Sequence, residues 1–216
     1  MIRRLLGLSA LALAVAAPIG AQAYNYPALQ NSRISEREYN FALADGGGSG
    51  TALIFQWREG LGNAKLQFTM DAGFADPDAA GAETRLIIGG GLGYQLTRAT
   101  DDMPFDIVLA GGIGATFGDN YTTMSLPFGA SIGHRFPLQG SLAISPFVHP
   151  RLSYSRRSDD GTPGLPGTSR SETGLDVDIG ANLEIGPQMS VRIGVVMGDA
   201  DAIGLSFAWT PRGLRK

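Results

Sequence analysis

From residue 38 onward the chain repeats one pattern ten times: a short run in which apolar and polar residues alternate. A period of two is the strand period, because successive side chains on a strand point to opposite faces. The cleanest run sets Leu66, Phe68 and Met70 against Lys65, Gln67, Thr69 and Asp71. The other nine centre on residues 39–43, 53–57, 86–96, 105–117, 124–136, 142–154, 175–185, 189–197 and 203–209. After residue 23 no stretch approaches the ~20 consecutive apolar residues of a spanning helix. A membrane crossing by this chain is therefore made by strands.

The first residues have a different logic. Arg3 and Arg4 precede an uncharged run from Leu5 to Ala17, and Ala21-Gln22-Ala23 follows with a small-x-small shape. That layout predicts a secretory signal peptide over residues 1–23, with Tyr24 first in the mature chain. Its removal leaves 193 of 216 residues, enough for one domain, and takes the formal charge from −3 to −5. A mildly acidic chain argues against a nucleic-acid partner. There is no cysteine, so neither a disulfide framework nor a lipidated cysteine is available.

A soluble β-sandwich and a membrane barrel both alternate, but they bury opposite faces. Two features predict that here the polar face points inward. Charges sit at mid-strand on that face together with many glycines, which suits a narrow lumen. If the strands run alternately up and down from a periplasmic N-terminus, Tyr39, Trp57, Tyr94, Phe105, Phe136 and Trp209 all fall on the apolar face at one end. Such a girdle is expected at the periplasmic membrane interface. The Gly186-Pro187 turn then lies on the periplasmic side, and the long connection over residues 156–171 becomes a mobile outer loop. Ten is an even number, as in single-chain bacterial barrels. Pro127, Pro146 and Pro150 lie inside two of the runs, where each removes a ladder donor, so eight strands is the alternative count.

The last run, Ala202 to Trp209, resembles the C-terminal assembly signal of bacterial outer-membrane barrels, polar-x-Gly-x-x-aromatic-x-aromatic. Gly204, Phe207 and Trp209 match it in register, Ala202 stands at its polar position, and residues 211–216 continue past it as a tail. With the signal peptide and the ten runs, residues 38–210 resemble the small outer-membrane β-barrel superfamily, of the type formed by the membrane domain of outer membrane protein A. The resemblance implies an all-β, antiparallel up-and-down transmembrane barrel. It would be monomeric, surrounded by outer-membrane lipid, and recognised by the barrel assembly machinery through its last strand. Residues 24–37, polar and without period, are expected as a periplasmic N-terminal extension.

Strand parity assigns the lumen charges. Glu38, Asp71, Asp106, Asp176, Asp178 and Glu184 face Arg58, Lys65, Arg85, Arg135, Arg151 and Arg192. A selective pore shows an excess of one sign at its constriction. Equal numbers predict mutual pairing, since an unpaired buried ion costs several kcal/mol. The expected function is a structural or surface-interaction barrel with a largely plugged lumen. A small passive channel is the alternative, and a soluble periplasmic β-protein the third. Nothing points to catalysis. His134 falls on the outward parity, and Ser145 lies more than ~12 Å along an extended strand from the lumen-facing His149. No clustered His or Cys predicts a metal site, and no cofactor is expected. The Gly89-Gly90-Gly91 run lies within a strand with no helix or Lys-Ser/Thr after it, so it is no phosphate loop.

Overall fold

Each alternating run forms a strand in the computed structural model, which describes residues 26, 28–61, 65–78, 80–161, 166–199 and 201–211. The long strands are β1 (Arg37–Asp45), β2 (Thr51–Leu61), β3 (Leu66–Asp76), β4 (Arg85–Thr97), β5 (Asp106–Gly118), β6 (Tyr121–Gly133), β8 (Leu142–Asp159), β9 (Thr168–Ile185), β10 (Met189–Gly198) and β11 (Ala202–Trp209). A two-residue piece, β7 (Phe136–Pro137), pairs with the start of β8. Each long strand pairs antiparallel with the long strands next to it in the chain, which makes β6 pair with β8, and β1 pairs with β11. The sheet therefore closes into a ten-stranded barrel, and closure removes the edges that an open sheet would expose. The expected signal peptide over residues 1–23 and residues 212–216 of the tail lie outside the described residues.

The barrel is inverted relative to a soluble one. Along β11 the burial alternates strictly, with Ala202, Gly204, Ser206 and Ala208 buried and Ile203, Leu205, Phe207 and Trp209 exposed. The same phase holds around the wall. Leu53, Phe74, Leu92, Phe128 and Leu175 are each 58–63% exposed, whereas Asn40, Asp106, Asp176 and Asp178 are fully buried. Among the described residues the buried positions are more often polar than apolar. The apolar clusters inside are small; one gathers Tyr26, Ala44, Ala52, Ala75 and Ile87 at the end where β1 meets β2. We call that the upper end. The lower end is where β1 begins and β11 finishes.

The three prolines do not reduce the strand count, because the ladders break around them and resume in the same register. The β5–β6 ladder is interrupted between Gly111↔Phe128 and Gly114↔Ser125, which spans Pro127. The β6–β8 ladder is interrupted between Gly129↔Arg151 and Ile132↔Val148, which spans Pro150. Pro146 lies beyond the end of β6, where its carbonyl accepts from the His134 N–H and no donor is needed. The connection expected as a mobile loop over residues 156–171 is mostly strand. The β8 and β9 arms pair out to Asp159↔Thr168, and the Tyr154 hydroxyl donates to Ser171 across them.

The aromatics named from the sequence do gather at the lower end of the outer face. Tyr39 stands opposite both Trp57 and Trp209, and its ring stacks on Trp209 with centroids 5.7 Å apart. Trp57 meets Phe68 edge-on at 6.2 Å. Tyr94, Phe105 and Phe136 are exposed at the same end. Because the Tyr39–Trp209 stack lies on the β1–β11 closure, Trp209→Ala is expected to lower stability by about 1 kcal/mol beyond its lost burial. Urea unfolding in detergent micelles measures it.

Candidate functional site

The lumen is the site, and its most consequential occupant comes from the chain itself. Residues 28–36, expected as a periplasmic extension, instead run down the inside of the barrel before turning into β1. Leu29, Gln30, Ser32 and Ile34 are all buried there. At the upper end the Tyr26 hydroxyl donates to the carbonyls of Ser49 and Gly50, each at 3.2 Å. Lower down, Arg58 donates to the carbonyls of Ala28 and Leu29 at 3.1 and 3.2 Å. Ser131 donates to the Gln30 carbonyl at 2.7 Å, and Gln95 both donates to Ser32 and accepts from the Ile34 N–H. Arg33 pairs with Asp106 at 2.7 Å near the lower end. An irregular segment carries unpaired backbone groups, and a polar lumen is where they can be satisfied. That is the physical reason the expectation fails: a segment without a period still has partners if the wall supplies them.

The predicted charges divide into clusters. Glu38 lies between two guanidinium groups, accepting from Arg58 at 3.0 Å and from both terminal nitrogens of Arg192. All three side chains are nearly fully buried. A second cluster joins Arg151 to Asp178 at 3.4 Å and to Asp176 at 3.8 Å. Arg135 and Glu184 pair at 2.7 Å at the lower rim, where both are about a third exposed. Asp106 is held by Arg33 and by the Ala99 N–H. Asp71 is buried on the lumen wall beside a cavity that Arg58 also lines.

Two of the twelve charges do not belong to this network. Lys65 is exposed in the turn before β3 and lies outside the lumen. Arg85 sits half-buried at the upper rim with its guanidinium 5.4 Å from the centre of the Tyr121 ring, which Arg157 also covers at 3.8 Å. Parity reports which face a residue takes but not its height along the strand, and both residues stand at strand ends. In the loops above Arg85, the hydrogen bond that a protonated Glu83 donates to Asp119 raises the Glu83 carboxyl above its ordinary value, so the two acids share a proton more readily as the pH falls.

Sequence reasoning missed two participants. Arg33 was hidden in the aperiodic segment. His149 was placed correctly in the lumen and, as expected, not against Ser145; the partner the sequence did not show is Asp178. The His149 Nδ1 stands 3.1 Å from Asp178, which faces it across the β8–β9 ladder. A carboxylate acceptor there keeps the proton on Nδ1 and leaves Nε2 for another group. His134 lies near the lower rim, edge-on to Phe136. The glycines serve the same crowding. Inside the wall Gly89 faces Gly114, Gly91 faces Gly112, and Gly93 faces Ala110. Opposite this bare panel stand Gln30, Arg58, His149 and Arg151, around a cavity of about 80 Å³.

No protein-family model matches the chain, and no curated protein matches it by sequence. Solved structures match at low identity. They include the KdgM porin, at 5% identity and a TM-score of 0.40, covering 81% of this chain and 99% of that one. LpxR from Salmonella typhimurium is 11% identical with a TM-score of 0.42, covering 81% and 100%. The beta domain of the Bordetella autotransporter BrkA is 12% identical with a TM-score of 0.37, covering 81% and 98%. Each score is below 0.5, and the closed barrel described above rests on this chain's own strand pairing.

The Glu38 cluster sets the stability of the lumen. Removing one member of a buried, hydrogen-bonded ion group leaves the rest uncompensated, at a cost of about 3–5 kcal/mol. Glu38→Ala is expected to lose stability on that scale, because Arg58 and Arg192 are left facing each other. Lys65→Ala is expected to stay within about 0.5 kcal/mol, as exposed substitutions do. Denaturant midpoints of the two refolded variants compare them.

Proposed function

We propose that this chain is an integral barrel of the bacterial outer membrane whose lumen is closed by its own N-terminal segment, serving a structural or surface-interaction role rather than solute passage. The observation that carries the reading is the run of residues 28–36 through the lumen, hydrogen-bonded to Arg58, Gln95 and Ser131 and ion-paired to Asp106. A water path must cross that segment, and its backbone partners are the lumen's own side chains.

The membrane setting is supported by the exposed apolar belt and the aromatic end. A soluble protein exposes single apolar side chains but seldom a continuous apolar surface. Here the exposed large apolar residues come from all ten long strands. On this reading the lower end is periplasmic and the upper loops face outward. The exposed apolar face of β11, ending in Phe207 and Trp209 after Gly204, is what assembly machinery would read. The pattern-level resemblance to barrels of the outer membrane protein A type fits the same setting.

Two measurements test it. The mature chain refolded in detergent should migrate on a denaturing gel as a compact form that shifts on heating. In planar bilayers it should show no steady conductance, and a variant lacking residues 24–35 should conduct. A soluble, heat-indifferent protein would contradict the membrane setting. Equal conductance with and without the segment would contradict the plug and favour a passive channel.

A further inference from the structure

Closure of the barrel stops short of the top of β9. The β9–β10 ladder ends at Asp176↔Gly198, whereas β9 goes on pairing with β8 as far as Thr168↔Asp159. Residues 168–175 therefore have β8 on one side and, among the described residues, no strand on the other. Such an edge presents its unused N–H and C=O groups to any extended chain that can pair with them.

Two contacts show which groups those are. The Leu175 N–H donates to the Asp199 carboxylate at 2.8 Å, and the Leu175 carbonyl lies against Gly198. Both point away from β8. The N–H and C=O of one strand residue share a side, and the side alternates along the strand. Thr173, Ser171 and Ser169 therefore turn their backbone groups to the open side as well, where no described residue pairs with them. The Ser171 and Ser169 hydroxyls accept from Tyr154 and Arg156 of β8, which holds the edge in place. On the opposite face of β9 stand Arg170 and Glu172, neither of them ion-paired among the described residues.

This spacing is complementary to itself. Two copies of the edge laid antiparallel about Ser171 set Ser171 opposite Ser171 and Ser169 opposite Thr173. Those are the hydrogen-bonded pairs, and they use the free backbone groups. Arg170 of each copy then falls opposite Glu172 of the other, in the non-hydrogen-bonded pairs whose Cα atoms are only about 4.5 Å apart. A parallel arrangement in register would set Arg170 against Arg170. We infer that the open edge of β9 is a contact for a second copy of this chain, paired antiparallel about a two-fold axis at Ser171. Direction fixes where that copy comes from. In one bilayer β9 of every copy runs from the outer loops toward the periplasm, so any two run the same way. Antiparallel pairing requires copies whose upper ends face each other, and the contact joins one outer membrane to another. This inference rests on the membrane setting and orientation proposed above.

The test places single copies of the mature chain in lipid nanodiscs, which leave both faces of the bilayer open, and follows pairing by sedimentation velocity. Wild-type discs are expected to pair, stacked face to face in electron micrographs. Arg170→Glu or Glu172→Arg alone sets like charges opposite each other and should weaken pairing at least tenfold. Mixing the two variants, or joining both changes in one chain, should restore it. Ser171→Pro removes an N–H from the open edge and none from the β8 ladder, and should weaken pairing similarly. Folded wild-type discs that stay single overturn the contact, as does pairing that is side by side or indifferent to Ser171→Pro and the single reversals. Discs that stay single but bind an unrelated extended peptide give the edge to a foreign strand and also overturn a second copy. Each variant is first shown to have the heat-shifted folded form, so its absence counts against the membrane setting and a failure of folded discs to pair against the contact alone.

Discussion

Burying Glu38 between Arg58 and Arg192 is the constraint around which the interior is arranged. A carboxylate removed from water needs opposite charge and hydrogen bonds in good geometry, or it costs more than it contributes. Arg58 comes from β2 and Arg192 from β10, so the cluster ties β1 to the strands on either side of the closure. Arg58 also donates to the carbonyls of Ala28 and Leu29. The group that balances Glu38 is thus also the group that holds the internal segment.

The same economy recurs at each level of the lumen. At the lower end Asp106 fixes Arg33, at mid-height Asp178 accepts from the Ala28 N–H and faces His149, and at the top the Tyr26 hydroxyl caps the β1–β2 turn. Wall and segment satisfy one another, which is why neither is an optional addition. The glycine panel of β4 and β5 belongs to the same arrangement. Large side chains on one side of a ten-stranded barrel leave little space on the other, and a wall without side chains accommodates them.

Much of the fold was legible because it depends on a period. Alternation identified ten strands, and the combination of mid-strand charge with one-ended aromatics identified which face is inside. Glu38, Arg58, Arg151 and Arg192 followed from parity alone. What parity lacks is height and register. Lys65 and Arg85 share the lumen phase of their strands but stand at the ends, where phase no longer decides burial. The His149–Asp178 contact joins residues 29 apart through a cross-strand pairing that no local signal contains. The segment before β1 was illegible for a different reason. Its conformation is set by partners on the wall, and its own residues carry no pattern. The prolines raised doubt about strand count because a missing donor is visible in the sequence, whereas the resumption of register on either side is not.

In the proposed membrane setting, the apolar face of this barrel meets lipid and the polar face meets the internal segment. Nitroxide labels placed one at a time on cysteines at residues 70 to 75 of β3 test it directly, since the chain has no cysteine of its own. In bilayers, collision with dissolved oxygen should be high at residues 70, 72 and 74 and low at 71, 73 and 75. A pattern of opposite phase, or uniform access to a water-soluble relaxant, would contradict that arrangement.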